Sequence, residues 1–110
     1  MKGFAHVYQP GERAPLVVPF TAAPSLEFLQ ERVGGYIEPV PFFTQYRGQR
    51  CVAFCNEHGK DKGLAINEAA NALWAMCPVP SPFVPAVSAG DVLVGPVVVL
   101  FGDAEFMASL

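Results

Sequence analysis

Five consecutive apolar residues, Val97 to Phe101, stand between Gly95-Pro96 and Gly102-Asp103. A strand that is apolar at every position has no face to offer water, so it belongs at the centre of a sheet or under cover. The strand is expected over Asp91 to Phe101, with a bulge or bend at Gly95-Pro96. Prolines mark the opposite condition elsewhere. Pro15 and Pro19 flank and interrupt Leu16 to Phe20, which places that strand near an edge or a bulge. Pro39 and Pro41 lie two apart in Tyr36 to Phe43, so both missing donors fall along one side of the strand. The donors of Glu38, Val40 and Phe42 face the other side, and this strand should pair on that side only.

The remaining elements follow from local rhythm. Phe4, His6 and Tyr8 alternate with Ala5, Val7 and Gln9, the period of a strand. Gln9-Pro10-Gly11-Glu12 has the residues of a type II turn, so the N-terminus reads as a hairpin. Ser25 is a helix cap for Leu26 to Val33, where Leu26, Leu29 and Val33 form one stripe and Gly34-Gly35 ends the helix. Thr44 to Gln49 reads as a loop pivoting on Gly48, and Arg50 to Cys55 as a strand with Cys51, Ala53 and Cys55 on one face. Asn67 caps a second helix running to about Cys77, with Ala70, Leu73, Trp74 and Cys77 on its buried side. Leu64 and Ile66 are expected to dock the approach to that helix. Pro78, Pro80, Pro82 and Pro85 exclude a helix or central strand, leaving a proline-rich loop over 78–90 that Phe83 and Val84 would pack onto the body. Phe106, Met107 and Leu110 make an apolar tail over 103–110, suited to docking on the body or on a second subunit.

The reading is a single α+β domain, a mostly antiparallel sheet of about five strands with two helices covering one face, in the order β-β-α-β-β-α-β. A ferredoxin-like arrangement, with the first hairpin counted as one strand, is the alternative.

Composition narrows the function. Charged residues are only 15% of the chain and apolar residues 52%, so some apolar surface should remain for a partner, and a homodimer is the plain way to cover it. The net charge is −3 and no basic run occurs, which argues against a nucleic-acid partner. No secretory signal or membrane-length apolar run stands in the sequence, so the expectation is a cytoplasmic protein with no membrane partner. Three cysteines are an odd count, and Cys51 and Cys55 on one strand would lie roughly 13 Å apart, beyond the ~7 Å reach of a disulfide. Reduced thiols are expected.

One stretch gathers titratable residues between two elements, the hinge after Cys55. Asn56, Glu57, Lys60, Lys62 and Asn67 form the candidate ligand-binding set, in which backbone donors and two lysines would hold a small anion or nucleotide. Gly59-Lys60-Asp61-Lys62-Gly63 is not a Walker loop, because Asp61 stands where a serine or threonine is required. The competing reading is a solvated turn in which Asn56 and Glu57 bond the backbone. His58 is the one acid–base candidate, and no serine, cysteine or carboxylate can be placed beside it as a triad. His6 reads as a strand residue with a satisfied ring. Glu57, His58 and Asp61 lack the spacing of a zinc site, so neither a metal nor a cofactor is expected.

Three segments resemble a small uncharacterised domain family of phages, plasmids and bacterial genomes: Leu29 to Val40, Cys55 to Asn67 and Gly90 to Gly102. The shared pattern is a Gly-Gly-Tyr strand after a helix, Asn-Glu-x-Gly-Lys followed by Gly-Leu-x-x-Asn, and a valine-rich closing strand around Asp-x-x-x-Gly. The resemblance implies an accessory protein of mobile-element type and brings no established activity. Against that pattern the proline-rich loop and the tail look like additions. The leading functional expectation is non-catalytic protein binding, with anionic-ligand binding at residues 56–67 as the alternative and an enzyme using His58 as the weaker one.

Overall fold

The run at Val97 to Phe101 lies at the middle of a five-stranded sheet. The computed structural model describes residues 1–83 and 90–110. In it β7 (Val97–Gly102) is flanked by β1 (Gly3–Tyr8) and β6 (Val52–Asn56), with β2 (Leu16–Phe20) and β3 (Ile37–Pro39) outermost. Every pairing is antiparallel. The fold is α+β, as the alternating and helical rhythms require. The first hairpin contributes two separate strands, so the ferredoxin-like count does not apply.

Both faces of the sheet are covered. Val97, Val99 and Phe101 project to one side with Tyr8 and Ala53, where they meet Ala70 and Trp74 of α2 (Glu68–Ala75) and Cys77 beyond it. Val98 and Leu100 project to the other with Ala5 and Val7, against Leu29 and Val33 of α1 (Leu26–Val33) and Phe106 of α3 (Ala104–Ala108). The expectation of two helices on one face is therefore corrected. A central strand that is apolar throughout needs a cover on each side, and the two helices divide that task.

Local chemistry explains the boundaries. Ser25 Oγ accepts from the Phe28 N–H at 3.0 Å, and Gly34 at φ 79° donates to the Gln30 carbonyl. Glu12 N–H closes the first turn on the Gln9 carbonyl at 3.1 Å, with Gly11 at φ 83°. The third strand is shorter than Tyr36 to Phe43. Val40 still donates to Ala53, but Phe42 at φ 59° turns the chain away. The expected loop at Thr44 to Gln49 instead folds with Arg50 into a small hairpin, β4 (Gln45–Tyr46) and β5 (Gln49–Arg50). Arg47 and Gly48 both have positive φ there, as a two-residue hairpin turn with right-handed twist demands. The second helix stops at Ala75, because Pro78 disfavours helical geometry at Cys77. The last strand begins only after Gly95, at φ 72°. Before that bend Val94 bridges to Ile66, whose side chain is exposed rather than docked, while Leu64 packs against Gly95.

The tail folds as α3, an element not expected. Asp103 Oδ1 accepts from the Phe106 N–H at 2.9 Å and starts one helical turn. Phe106 is completely buried over Gly3 and Gly102, and a Cβ on Gly3 would fall on its ring. Of the proline-rich loop, Phe83 lies against Phe42 with ring centroids 5.5 Å apart. Val84 and Pro85 lie outside the described residues. All three cysteines are free. Among the described residues no helix is long and apolar enough to cross a membrane.

Phe106→Ala is expected to destabilise the fold by about 3–5 kcal/mol, since a ring with no exposed surface leaves a cavity at a glycine-lined seat. The change in urea midpoint at unchanged slope measures it.

Candidate functional site

Where β6 hands over to the hinge, the chain leaves a cleft of about 240 Å³. One wall is the β3 rim, with Glu38, Pro39, Val40 and Pro41; the floor includes Cys55 and Trp74. The hinge contributes Asn56, Glu57, Lys60 and Asp61, and the segment 91–94 closes the far side. That segment is held by side-chain amides. Asn71 Nδ2 donates to the Leu93 carbonyl at 2.9 Å, and Asn71 Oδ1 accepts from the Leu93 N–H at 2.8 Å. Trp74 is fixed in turn by its indole N–H, which donates to the Pro41 carbonyl at 2.8 Å. A second, more open hollow of about 380 Å³ lies between the β4–β5 turn and the end of α2, and Arg47 is its one charged lining residue.

The five candidate ligand residues part company in space. Asn56, Glu57 and Lys60 line the cleft; Lys62 and Asn67 do not. Asn56 is buried and committed to the backbone: Nδ2 donates to the Val33 carbonyl at 3.0 Å and Oδ1 accepts from the His58 N–H at 2.8 Å. The second bond is the Asx-type turn that the competing reading supposed. Lys62 Nζ lies 3.1 Å from where a Cβ on Gly35 would be, over the C-terminal end of α1, a favourable place for a cation. Asn67 has no exposed surface. Its Nδ2 donates to the carbonyls of Tyr8 and Gly95, both at 2.9 Å, and its Oδ1 caps α2 at Ala70. Lys60 is ion-paired with Asp91, which spacing along the chain gave no reason to place there.

His58 stands on the exposed side of the hinge, half-exposed and outside both hollows. Its ring nitrogens are 3.9 Å from Glu57 Oε2 and 3.6 Å from Asp61 Oδ2. Among the described residues no group of three or more histidine, cysteine or acidic side chains is arranged to hold a metal. The cleft thiol of Cys55 is pushed up to about 11, by burial first and then by Glu38, so it is protonated and a poor nucleophile at neutral pH.

A buried polar cluster went unread in the sequence. The Tyr46 hydroxyl lies 2.6 Å from His6 Nδ1 and 2.6 Å from the Tyr8 hydroxyl, between the sheet and the small hairpin. His6, Tyr8 and Tyr46 are all buried. Burial, and then the Arg47 guanidinium, hold the imidazole below its ordinary value of 6.5. Burial, then the hydrogen bond with Tyr8, push the Tyr46 phenol well up. Each hydroxyl has a partner, which is the condition for keeping polar groups in a core. The alternation of Phe4, His6 and Tyr8 marked a shared face, but nothing marked Tyr46 as their cover.

Comparison with known proteins finds a family match. The family model for the domain of unknown function DUF3846 matches residues 1–110, and the chain belongs to that family. No curated protein and no solved structure matches it.

Because the folded state binds the His6 proton less tightly than the unfolded chain, the stability from neutral His6 is complete above about pH 6.5 and is lost as pH falls below it. Urea midpoints at about pH 7.5 and about pH 5.5 are expected to differ less in His6→Asn than in the parent chain. An equal difference in the two would place the pH dependence elsewhere.

Proposed function

We propose that this member of a family without assigned function is a non-catalytic binding domain that engages another protein through the cleft between β3 and residues 91–94. One observation carries the reading: a preformed hollow with an apolar wall of Val40, Trp74 and Leu93 and an ionic rim, whose thiol, Cys55, is held protonated. Its volume falls short of the roughly 300–1,000 Å³ of small-molecule pockets. An anionic ligand is the weaker reading, since Glu38, Glu57, Asp61 and Asp91 line the cleft with Lys60 as the one cation, and Lys62 lies elsewhere. The accessory, mobile-element role is supported by the sequence resemblance alone.

Trp74 is the single tryptophan of the chain and lines the cleft, so its fluorescence reports on occupancy. Peptides selected from a random display library on the parent chain are expected to shift that emission. They should lose binding to Val92→Phe, which narrows the cleft from an exposed position. A library that yields nothing distinguishing parent from variant would overturn the proposal.

Self-association belongs to the same reading. Leu16 and Val17 of β2 are about half exposed, and Tyr36 and Ile66 more so. Sedimentation velocity is expected to give a mass near twice the chain's 11.8 kDa. A single species at the chain mass across the concentration range would sink the homodimer and leave the cleft untouched.

A further inference from the structure

We infer that the cleft takes the side chain of a lysine or arginine from the partner protein, its stem along Val40 and Trp74 and its cation at the Asp91 carboxylate. The inference rests on the protein-binding reading of the cleft and names the chemistry of what enters it.

Charge is the first support. Glu38, Glu57, Asp61 and Asp91 line the cleft with Lys60 as the one cation among them. These five groups account for the entire formal charge of −3, because the six acidic and six basic side chains left in the chain balance. Residues 84–89, Val-Pro-Ala-Val-Ser-Ala, carry no ionisable side chain and leave the balance unchanged. A concave site with a net excess of one sign and apolar walls focuses its field on the opposite charge. The Cys55 thiol on the floor feels that field: after burial, Glu38 and Asp91 raise it while Lys60 alone lowers it.

Shape is the second. A hollow of about 240 Å³ with an apolar wall and acidic rim suits a long aliphatic stem that ends in a charge. Lys60 already seats an ammonium on Asp91 Oδ1. With side chains 61% and 43% exposed, that internal pair is weakly held and open to exchange for an incoming cation. Backbone pairing is not an alternative mode at this rim, because Pro39 and Pro41 leave its outer side without their donors.

The test titrates isotope-labelled full-length chain with the N-acetyl amides of arginine, lysine, norleucine and glutamate, and with spermidine. The Trp74 indole N–H and the Val92 amide are followed by NMR. The arginine and lysine amides are expected to move both signals saturably, and the norleucine and glutamate amides are not. Asp91→Asn, which can keep the side-chain bond to the Val92 N–H, should weaken the titration about tenfold, and Lys60→Met should tighten it about threefold. Equal response to norleucine would overturn the inference, as would titrations unchanged in both Asp91→Asn and Glu38→Gln. Response to spermidine with none to either basic amide would assign the cleft to free amines and overturn it too. If display selection gives cleft-dependent peptides while the basic amides behave like the glutamate amide, this inference falls and the protein-binding reading stands.

Discussion

The cleft and the core hang on one buried amide. Asn67 donates to the last carbonyl of β1 and to the carbonyl of Gly95 at the bend before β7, while its oxygen caps α2. Its backbone N–H bonds the Leu93 carbonyl and its own carbonyl accepts from Asn71. One side chain thus ties together a strand end, a bend and a helix start that lie far apart in sequence. These bonds satisfy buried polar groups, and the cost of leaving such a group unpaired is larger than the gain of pairing it. Asn71 continues the same arrangement one helical turn later and holds residues 91–94 in place as the cleft wall. The far wall of the hollow is therefore set by the core, while the hinge supplies the near side.

The sheet's two outer strands both carry proline. Val40 donates inward to Ala53, so Pro39 and Pro41 face outward along β3. On β2 the pairing of Pro19 with Phe4 in the β1 ladder puts Pro19 where its absent donor is harmless only if that position looks outward. An edge without regular donors is a poor template for strand addition. A chain with few charges and exposed Leu16 and Val17 would otherwise invite edge-to-edge pairing. What remains for specific association is side-chain chemistry, on faces and in the cleft.

Much of this was legible because local rules act within a few residues. Ser25 and Gly34 bracket α1 by capping chemistry, the Pro-Gly turn fixes the first hairpin, and the apolar run Val97 to Phe101 becomes the central strand. What was not legible depends on which faces meet. Periodicity separates Val97, Val99 and Phe101 from Val98 and Leu100, yet does not say which helix covers which set. The buried β1, apolar or aromatic on both faces apart from His6, was the available sign that two covers were needed. The hinge misled in the same way. Asn56, Glu57, Lys60, Lys62 and Asn67 are neighbours in the chain, but Lys62 turns to the end of α1 and Asn67 into the core. Two of the four carboxylates that set the cleft's charge, Glu38 and Asp91, arrive from other elements.

That convergence changes what the site can attract. Along the chain the hinge reads as lysine-rich, since Lys60 and Lys62 stand two apart. In space Lys62 is withdrawn, Lys60 is matched by Asp91, and Glu38, Glu57 and Asp61 are left without a cation lining the cleft. The sign of the field at the cleft is the reverse of the sign suggested by the motif. Since the carboxylates stand at a solvent-open rim, the pull of Glu38, Glu57 and Asp61 on a cation would act on encounter and orientation, and Asp91 would seat it. Apolar contact with the wall that Trp74 and Leu93 form beneath them adds to the hold of Asp91 on the charged end. Charge at the rim and apolar surface below would act on the two ends of one side chain, and Asn67, through Asn71 and Leu93, keeps the two surfaces in register.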